Sequence, residues 1–166
     1  MINNPLILFL HKSALLKVSE NIMKIIEIGD RITLTLEGKL EDGYIFYKNN
    51  KNPSIIEIGK KQIFPALENE LVGMKIGETR TITLKPIDAF GDHDENLLMS
   101  IPRDRIDSEI QTVAGNEIEV TVSEGKKLKG VIVDVTDDII TVDFNHPYAG
   151  KSVFVTCTII SIEDRS

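Results

Sequence analysis

The sequence predicts an α+β protein, several strands with one short helix that leans on them, and a small all-β domain inserted into one of its loops. Three observations carry that prediction. Period-two alternation of β-branched and polar residues recurs along most of the chain, as in half-buried strands. Helical spacing is convincing at one place, Pro65 to Met74. Two turn-rich segments, Ala89 to Leu98 and Asp143 to Lys151, bracket a stretch with hairpin signals of its own. Insertions are tolerated at such surface loop tips.

Met23-Lys24-Ile25-Ile26-Glu27-Ile28 reads as a first strand. From Asp30 onward Ile32, Leu34 and Leu36 alternate with Arg31, Thr33, Thr35 and Glu37, marking a strand with one face buried. Gly38 to Gly43 turns the chain, with Asp42-Gly43 as the hairpin signal. Tyr44 to Tyr47 is a second strand of the hairpin, Lys48 to Pro53 a polar loop, and Ile55 to Ile58 strand again. In the helix Pro65 suits the first position, Leu67 and Leu71 stack at i and i+4, Glu68 and Glu70 are expected to face solvent, and Gly73 suits the C-terminal cap. So short a helix is marginal in water and must lean on a sheet. Lys75 to Glu78 turns into a strand over Thr79 to Lys85, and Val153 to Ile162 makes one long strand near the C-terminus.

The inserted domain is expected over residues 101–142. Glu117 to Val122 alternates, Ser123 to Lys126 turns, and Leu128 to Val135 pairs with Ile139 to Phe144 around Thr136-Asp137-Asp138. A segment of this size buries only a thin core. The host domain is then discontinuous, residues 23–100 and 143–166.

Composition bounds what the chain does. Its 166 residues are 42% hydrophobic and 27% charged, which suits a soluble globular protein of one large or two small domains. Net charge is -7 with Lys and Arg scattered, so the electrostatic footprint of a nucleic-acid or anionic-membrane binder is missing. Cys157, the single cysteine, excludes an internal disulfide and a cysteine-based zinc site, and falls where a small core residue is expected. Residues 1–22 read as a leader, either disordered or the product of a mis-called start, with translation expected to begin at Met23. Its apolar run Pro5 to Leu10 has no positive charge ahead of it and is closed by His11 and Lys12, unlike a secretory signal or a membrane span, so a cytoplasmic protein is expected.

Leu36-Glu37-Gly38-Lys39-Leu40-Glu41-Asp42-Gly43 with Phe46, then Gly59-Lys60-Lys61-Gln62-Ile63-Phe64-Pro65-Ala66-Leu67-Glu68, then Ala89-Phe90-Gly91, together resemble the FKBP family of peptidyl-prolyl cis-trans isomerases. The insert followed by Asp143-Phe144-Asn145-His146-Pro147-Tyr148-Ala149-Gly150-Lys151 is similar to the SlyD branch, which carries a chaperone "insert-in-flap" domain at this point. The His-rich tail common in that branch is not found before Ser166, which puts a nickel-delivery role in doubt.

The resemblance implies an FKBP-like antiparallel sheet wrapped around the short helix, with an apolar cleft between them that takes a proline-containing segment. The chemistry needs no nucleophile and no cofactor. Rotation about a peptide C–N bond is resisted by about 18–20 kcal/mol of partial double-bond character, and a catalyst has only to bind the twisted amide better than either planar form. An apolar pocket helps, because the planar amide is the more charge-separated state. Carried over by position, the contacts to the amide are Phe46, Tyr47, Ile63, Phe64 and Phe90, and the substrate-binding walls are Leu36, Leu67 and Val155. Phe46, Ile63 and Phe64 keep the family's residue type, and Leu67 matches the SlyD branch. Leu36 stands where a Tyr is usual, Tyr47 where an Asp is usual, Phe90 where a Tyr hydroxyl bonds the substrate carbonyl, and Val155 where a Phe forms the wall. A lost neutral hydrogen bond is worth about 0.5–1.5 kcal/mol, so Phe90 alone would lower the rate about three- to tenfold, and reduced isomerase activity is expected. Each of these apolar residues taken singly also reads as plain sheet core.

The expected function is therefore a prolyl isomerase with chaperone activity, its insert holding unfolded segments by adding a strand along an open edge. A holdase whose isomerase pocket has decayed is the alternative. Expected partners are unfolded or partly folded polypeptides containing proline, with no nucleic acid and no membrane, and the protein itself is expected to be a monomer. His93 among Asp92, Asp94 and Glu95, with His146, supplies the donor types of a mixed nitrogen and oxygen metal site. Acidic loops are usually solvated, and no metal site is assigned. His146 and Asn145 are expected to brace their turn through local backbone bonds, with Pro147 presetting φ.

Overall fold

The computed structural model describes residues 24–107, 110–121, 125 and 127–163. The leader expected over residues 1–22 lies outside them, as does the expected Ser123 to Lys126 turn apart from Gly125. In chain order the elements are β1 (Arg31–Leu40), β2 (Ile45–Lys48), β3 (Ser54–Glu57), α1 (Pro65–Leu71), β4 (Thr79–Leu84), β5 (Leu98–Pro102), β6 (Glu117–Thr121), β7 (Lys127–Val135), β8 (Ile139–Asp143) and β9 (Val153–Glu163). They form two compact units, one of the residues up to Ala89 and from Lys151 onward, the other of Phe90–Gly150.

The first unit is an antiparallel sheet in the order β2-β1-β9-β4, with β3 also paired to β1. Strand β1 serves two partners on one edge. Its first half pairs with β3, from Arg31↔Glu57 to Leu34↔Ser54, and its second half pairs with β2, from Glu37↔Lys48 to Lys39↔Ile45. Alternation does what the sequence predicts: Ile32, Leu34, Leu36, Gly38 and Leu40 are buried and the residues that alternate with them are not. In β9 the pattern changes phase. Leu34 pairs with Ile159 and Thr33 with Ser161, leaving Ile160 as a bulge residue, so that Val153, Val155, Cys157, Ile159 and then Ile162 all point inward.

Helix α1 buries Leu67 and Leu71 and ends at Leu71, short of the expected Met74. The chain leaves it through Gly73 at φ 84°, whose N–H donates to Ile26 O at 2.9 Å, while Ile26 N–H donates to Met74 O at 2.9 Å. That exchange corrects the expected first strand. The backbone of Ile26 is spent on the loop after the helix, and the ladder there shrinks to the isolated bridge Ile25↔Lys75. Glu68, expected to face solvent, is buried, whereas Glu70 is exposed.

The second unit is an antiparallel sheet in the order β5-β8-β7-β6. Ile118, Ile132, Ile140 and Val142 form its buried core, flanked by Ile101, Ile106, Val120, Val135 and Phe144. Its edges differ from the expected 101–142. Strand β5 pairs Leu98↔Asp143 through Pro102↔Ile139, Phe144 N–H donates to Leu97 O at 3.0 Å, and Gly150 N–H donates to Gly91 O at 2.9 Å. The two turn segments read as host loops are thus bonded to each other, which extends this unit to Phe90 and Gly150.

Candidate functional site

The register of β1 against β9 assembles the first part of the site. Gly38 faces Val155 and Leu36 faces Cys157, while Ile82 of β4 lies on the other side of Val155. Leu36 and Val155 are each 5% exposed and sit diagonally on one buried face. Phe46 joins them through an irregularity. In the β1–β2 ladder Tyr47 pairs with Gly38 and Ile45 with Lys39, leaving Phe46 over. Its half-buried ring lies against Gly38, where an added Cβ would come within 2.6 Å of Phe46 Cζ. A side chain at position 38 would occupy the place of the ring. Tyr47 is 46% exposed.

The gap on β1 between its two edge partners is closed by Asn49. Its side-chain Oδ1 accepts from Leu36 N–H at 2.5 Å, its own N–H donates to Leu36 O at 3.1 Å, and its Nδ2 donates to Ser54 Oγ at 2.8 Å. This residue replaces the missing ladder bonds beside Leu36. Sequence reasoning passed it over as part of a polar loop, although Asn is a residue type that mimics backbone pairing.

Ile63 and Phe64 are half-buried in the segment that enters α1. Phe64, held by the following proline at φ -52° and ψ 127°, is the N-cap, and its carbonyl accepts from Glu68 N–H at 2.9 Å. Leu67, 2% exposed, is core in the first turn. The expected walls Leu36, Leu67 and Val155 are therefore nearly closed off, whereas Phe46, Ile63 and Phe64 keep exposed surface.

The ionisable groups nearby are not nucleophiles. Burial pushes the Cys157 thiol up to about 12, so it is neutral at ordinary pH. The side-chain hydrogen bond from Lys48 holds Glu37 below the usual carboxylate range.

Phe90 belongs to the second unit and is half-buried there. Its ring stacks on His146 with centroids 4.4 Å apart and planes 7° apart, and meets Tyr148 edge-on at 5.2 Å. His146 braces its own turn, Nδ1 accepting from Tyr148 N–H at 3.2 Å. Asn145 accepts from Asp94 N–H at 2.9 Å and donates to Asp94 O at 2.9 Å and Asp143 Oδ1 at 2.8 Å. His93 Nε2 lies 2.9 Å from Asp143 Oδ2. That hydrogen bond, with the nearby charges of Asp143, Glu95 and Asp94, raises the His93 pKa against a smaller opposing effect of burial. For Asp143 burial acts upward, but hydrogen bonds from the Asn145 backbone, His93 and the Asn145 side chain outweigh it, and the carboxyl is held low. The acidic loop and the Asn-His-Pro turn thus act as one polar clasp. Among the described residues no group of three or more His, Cys, Asp or Glu is placed to hold a metal ion, and no helix is long and apolar enough to cross a membrane.

Comparison with known proteins agrees with this architecture. The family profile for FKBP-type peptidyl-prolyl cis-trans isomerase matches residues 23–105. The FKBP-type 16 kDa peptidyl-prolyl cis-trans isomerase of Escherichia coli (strain K12) is 32% identical over 127 residues, 75% of this chain and 85% of its own. A short-type peptidyl-prolyl cis-trans isomerase of Methanocaldococcus jannaschii is 30% identical over 137 residues, 81% of this chain and 84% of its own. The SlyD isomerase of Vibrio cholerae is 27% identical over 138 residues, 82% of this chain and 68% of its own. With half the chain matched by the profile, and these relatives aligned across both of its compact units, the chain belongs to the FKBP-type peptidyl-prolyl cis-trans isomerase family.

Proposed function

We propose that this protein catalyses cis-trans isomerisation of X–Pro bonds in unfolded or partly folded polypeptides, and that its second unit holds those polypeptides as a chaperone. The observation that carries the isomerase reading is the Phe46 ring laid across Gly38, on the same sheet face as Leu36 and Val155. It is an apolar surface of the kind that favours the twisted amide over the planar one. Phe46, Tyr47, Ile63, Phe64 and Phe90 contact the amide in this reading, Leu36, Leu67 and Val155 form the walls, and no cofactor takes part. The protein works as a monomer in the cytoplasm, on the domain division of an FKBP host and an inserted chaperone domain.

Activity is reduced by the departures at Leu36, Tyr47, Phe90 and Val155. The test is the rate of a proline-limited refolding reaction at catalytic protein concentration, run beside an unstructured X–Pro peptide. Acceleration of both supports the proposal. Acceleration of neither, with aggregation still suppressed, establishes the second reading, a holdase on an isomerase fold. That second reading is favoured by the apolar side chains the second unit exposes, Met99, Val113, Val133 and Ile139, each more than 40% accessible.

A further inference from the structure

Glu68 is a buried carboxyl group in a helix that has no need of one. It is 4% exposed, and its Oε1 has no hydrogen-bond partner among the described residues. Its other oxygen, Oε2, accepts from Lys61 N–H at 3.3 Å. Leaving such an oxygen buried is unfavourable, and the position next to Leu67 would accept a leucine or glutamine by size. The group it bonds is itself unusual. Lys61 has φ 55°, the one positive φ among the described non-glycine residues, a left-handed conformation that a lysine reaches at a cost. Backbone of this kind persists where the surroundings over-determine it, and it clusters at functional sites.

Both features converge on one segment. Gly59 to Phe64 runs from the end of β3 to the start of α1 and ends in Ile63 and Phe64, two residues assigned to the amide-binding surface. Gln62 anchors it too, its Oε1 accepting from Glu57 N–H at 2.8 Å, as does Lys60, whose N–H donates to Glu57 O at 3.2 Å. We propose that Glu68 is a positioning residue for isomerisation: by holding the Lys61 amide it imposes the left-handed turn that sets Ile63 and Phe64 against the substrate. The inference rests on the isomerase reading for its catalytic part and on the geometry alone for its structural part. The energetic signature is distinctive. Removing a buried oxygen that has no partner among the described residues relieves its desolvation cost, and the exposed Lys61 residue can turn its amide to water, so stability stays unchanged or rises, whereas a displacement of about 1 Å in a contact residue can cost up to about a hundredfold in rate.

The experiment has two arms. In the wild-type protein, amide hydrogen exchange is measured at Lys61; protection well above that of an unbonded loop amide is expected, and exchange as fast as an unbonded amide would overturn the proposal whatever the enzyme does. In the second arm, Glu68→Leu and Glu68→Gln are compared on an X–Pro tetrapeptide. Glu68→Leu is expected to keep or raise the thermal midpoint, lose the Lys61 protection and lower kcat/KM roughly tenfold or more, while Glu68→Gln, which retains an acceptor, stays within about twofold of wild type. Full activity with Lys61 protection lost would refute the positioning role. A wild-type protein inactive on the peptide would instead refute the isomerase reading, and the exchange arm would still decide the loop geometry.

Discussion

Gly38 shows how a single missing Cβ shapes the site. The Phe46 ring occupies the space a side chain would take, with three ring atoms within 3.3 Å of the position of a Cβ. Overpacking of this kind costs about 1–3 kcal/mol. Gly38→Ala is expected to lower stability by about that amount and, by displacing Phe46, to reduce peptide isomerisation; a variant with unchanged activity would remove Phe46 from the site. At position 90 the reverse change is informative. If the lost hydroxyl limits the rate, Phe90→Tyr should raise kcat/KM by about three- to tenfold, the equivalent of one neutral hydrogen bond, and no gain would count against that role. The polar clasp carries a pH signature. The raised pKa of His93 contributes stability that is complete below the ordinary histidine value of 6.5 and is lost as pH rises through the folded value. The lowered pKa of Asp143 contributes stability that is complete above its ordinary 3.8 and is lost as pH falls through the folded value. The difference in thermal midpoint between wild type and His93→Gln should therefore be widest between those two pH values and shrink on either side. A difference independent of pH would show that the ion pair contributes nothing.

At the scale of elements, the strands were legible where alternation is strict and one face is buried, as in β1, β7 and β8. Strand β5 was not, because Leu98-Met99 follows a run of acids and turn formers and shows its pairing only against β8. The helix was legible from Pro65, the Leu67–Leu71 spacing and Gly73, which follows the C-cap Val72 in the left-handed conformation of a cap glycine, but the bond from Gly73 to Ile26, a partner distant in sequence, was not. The solvent-facing assignment of Glu68 failed for a similar reason, since the loop that covers it arrives from outside the helix. Strand β7 carries its own constraint. A Cβ on Gly130 would stand 2.7 Å from the backbone oxygen of Asp143 and 2.6 Å from Val142 Cγ1, and the backbone has nowhere to move within the ladder. Gly130→Ala is expected to destabilise the second unit by roughly 1–3 kcal/mol, lowering amide protection in β6, β7 and β8 while protection in β1 and β9 stays unchanged. Equal loss in both units would mean that they unfold as one.

At the scale of the whole molecule, the chain leaves and re-enters its first unit at neighbouring points, since Gly91 O and Gly150 N are hydrogen-bonded at 2.9 Å. Replacing residues 92–149 by a short glycine-rich linker should therefore leave the first unit folded. It is expected to retain isomerisation of a small peptide, lose suppression of aggregation, and lose most of its advantage on a refolding protein, because the tethered unit raises the local concentration of client chains near the pocket. Unchanged suppression would sink the chaperone role of the second unit. The sequence by itself determined the fold class and the family, because alternation, turn residues and ordered motifs are local properties of the chain. Tertiary structure alone decided where the second compact unit begins and ends, that Phe46 lies on Gly38, that Asn49 completes the edge beside Leu36, and that Glu68 is buried against Lys61. Each of these joins residues through cross-strand register or loop packing, and neither a bulge nor a loop that folds back leaves a period in the sequence from which its partner can be read.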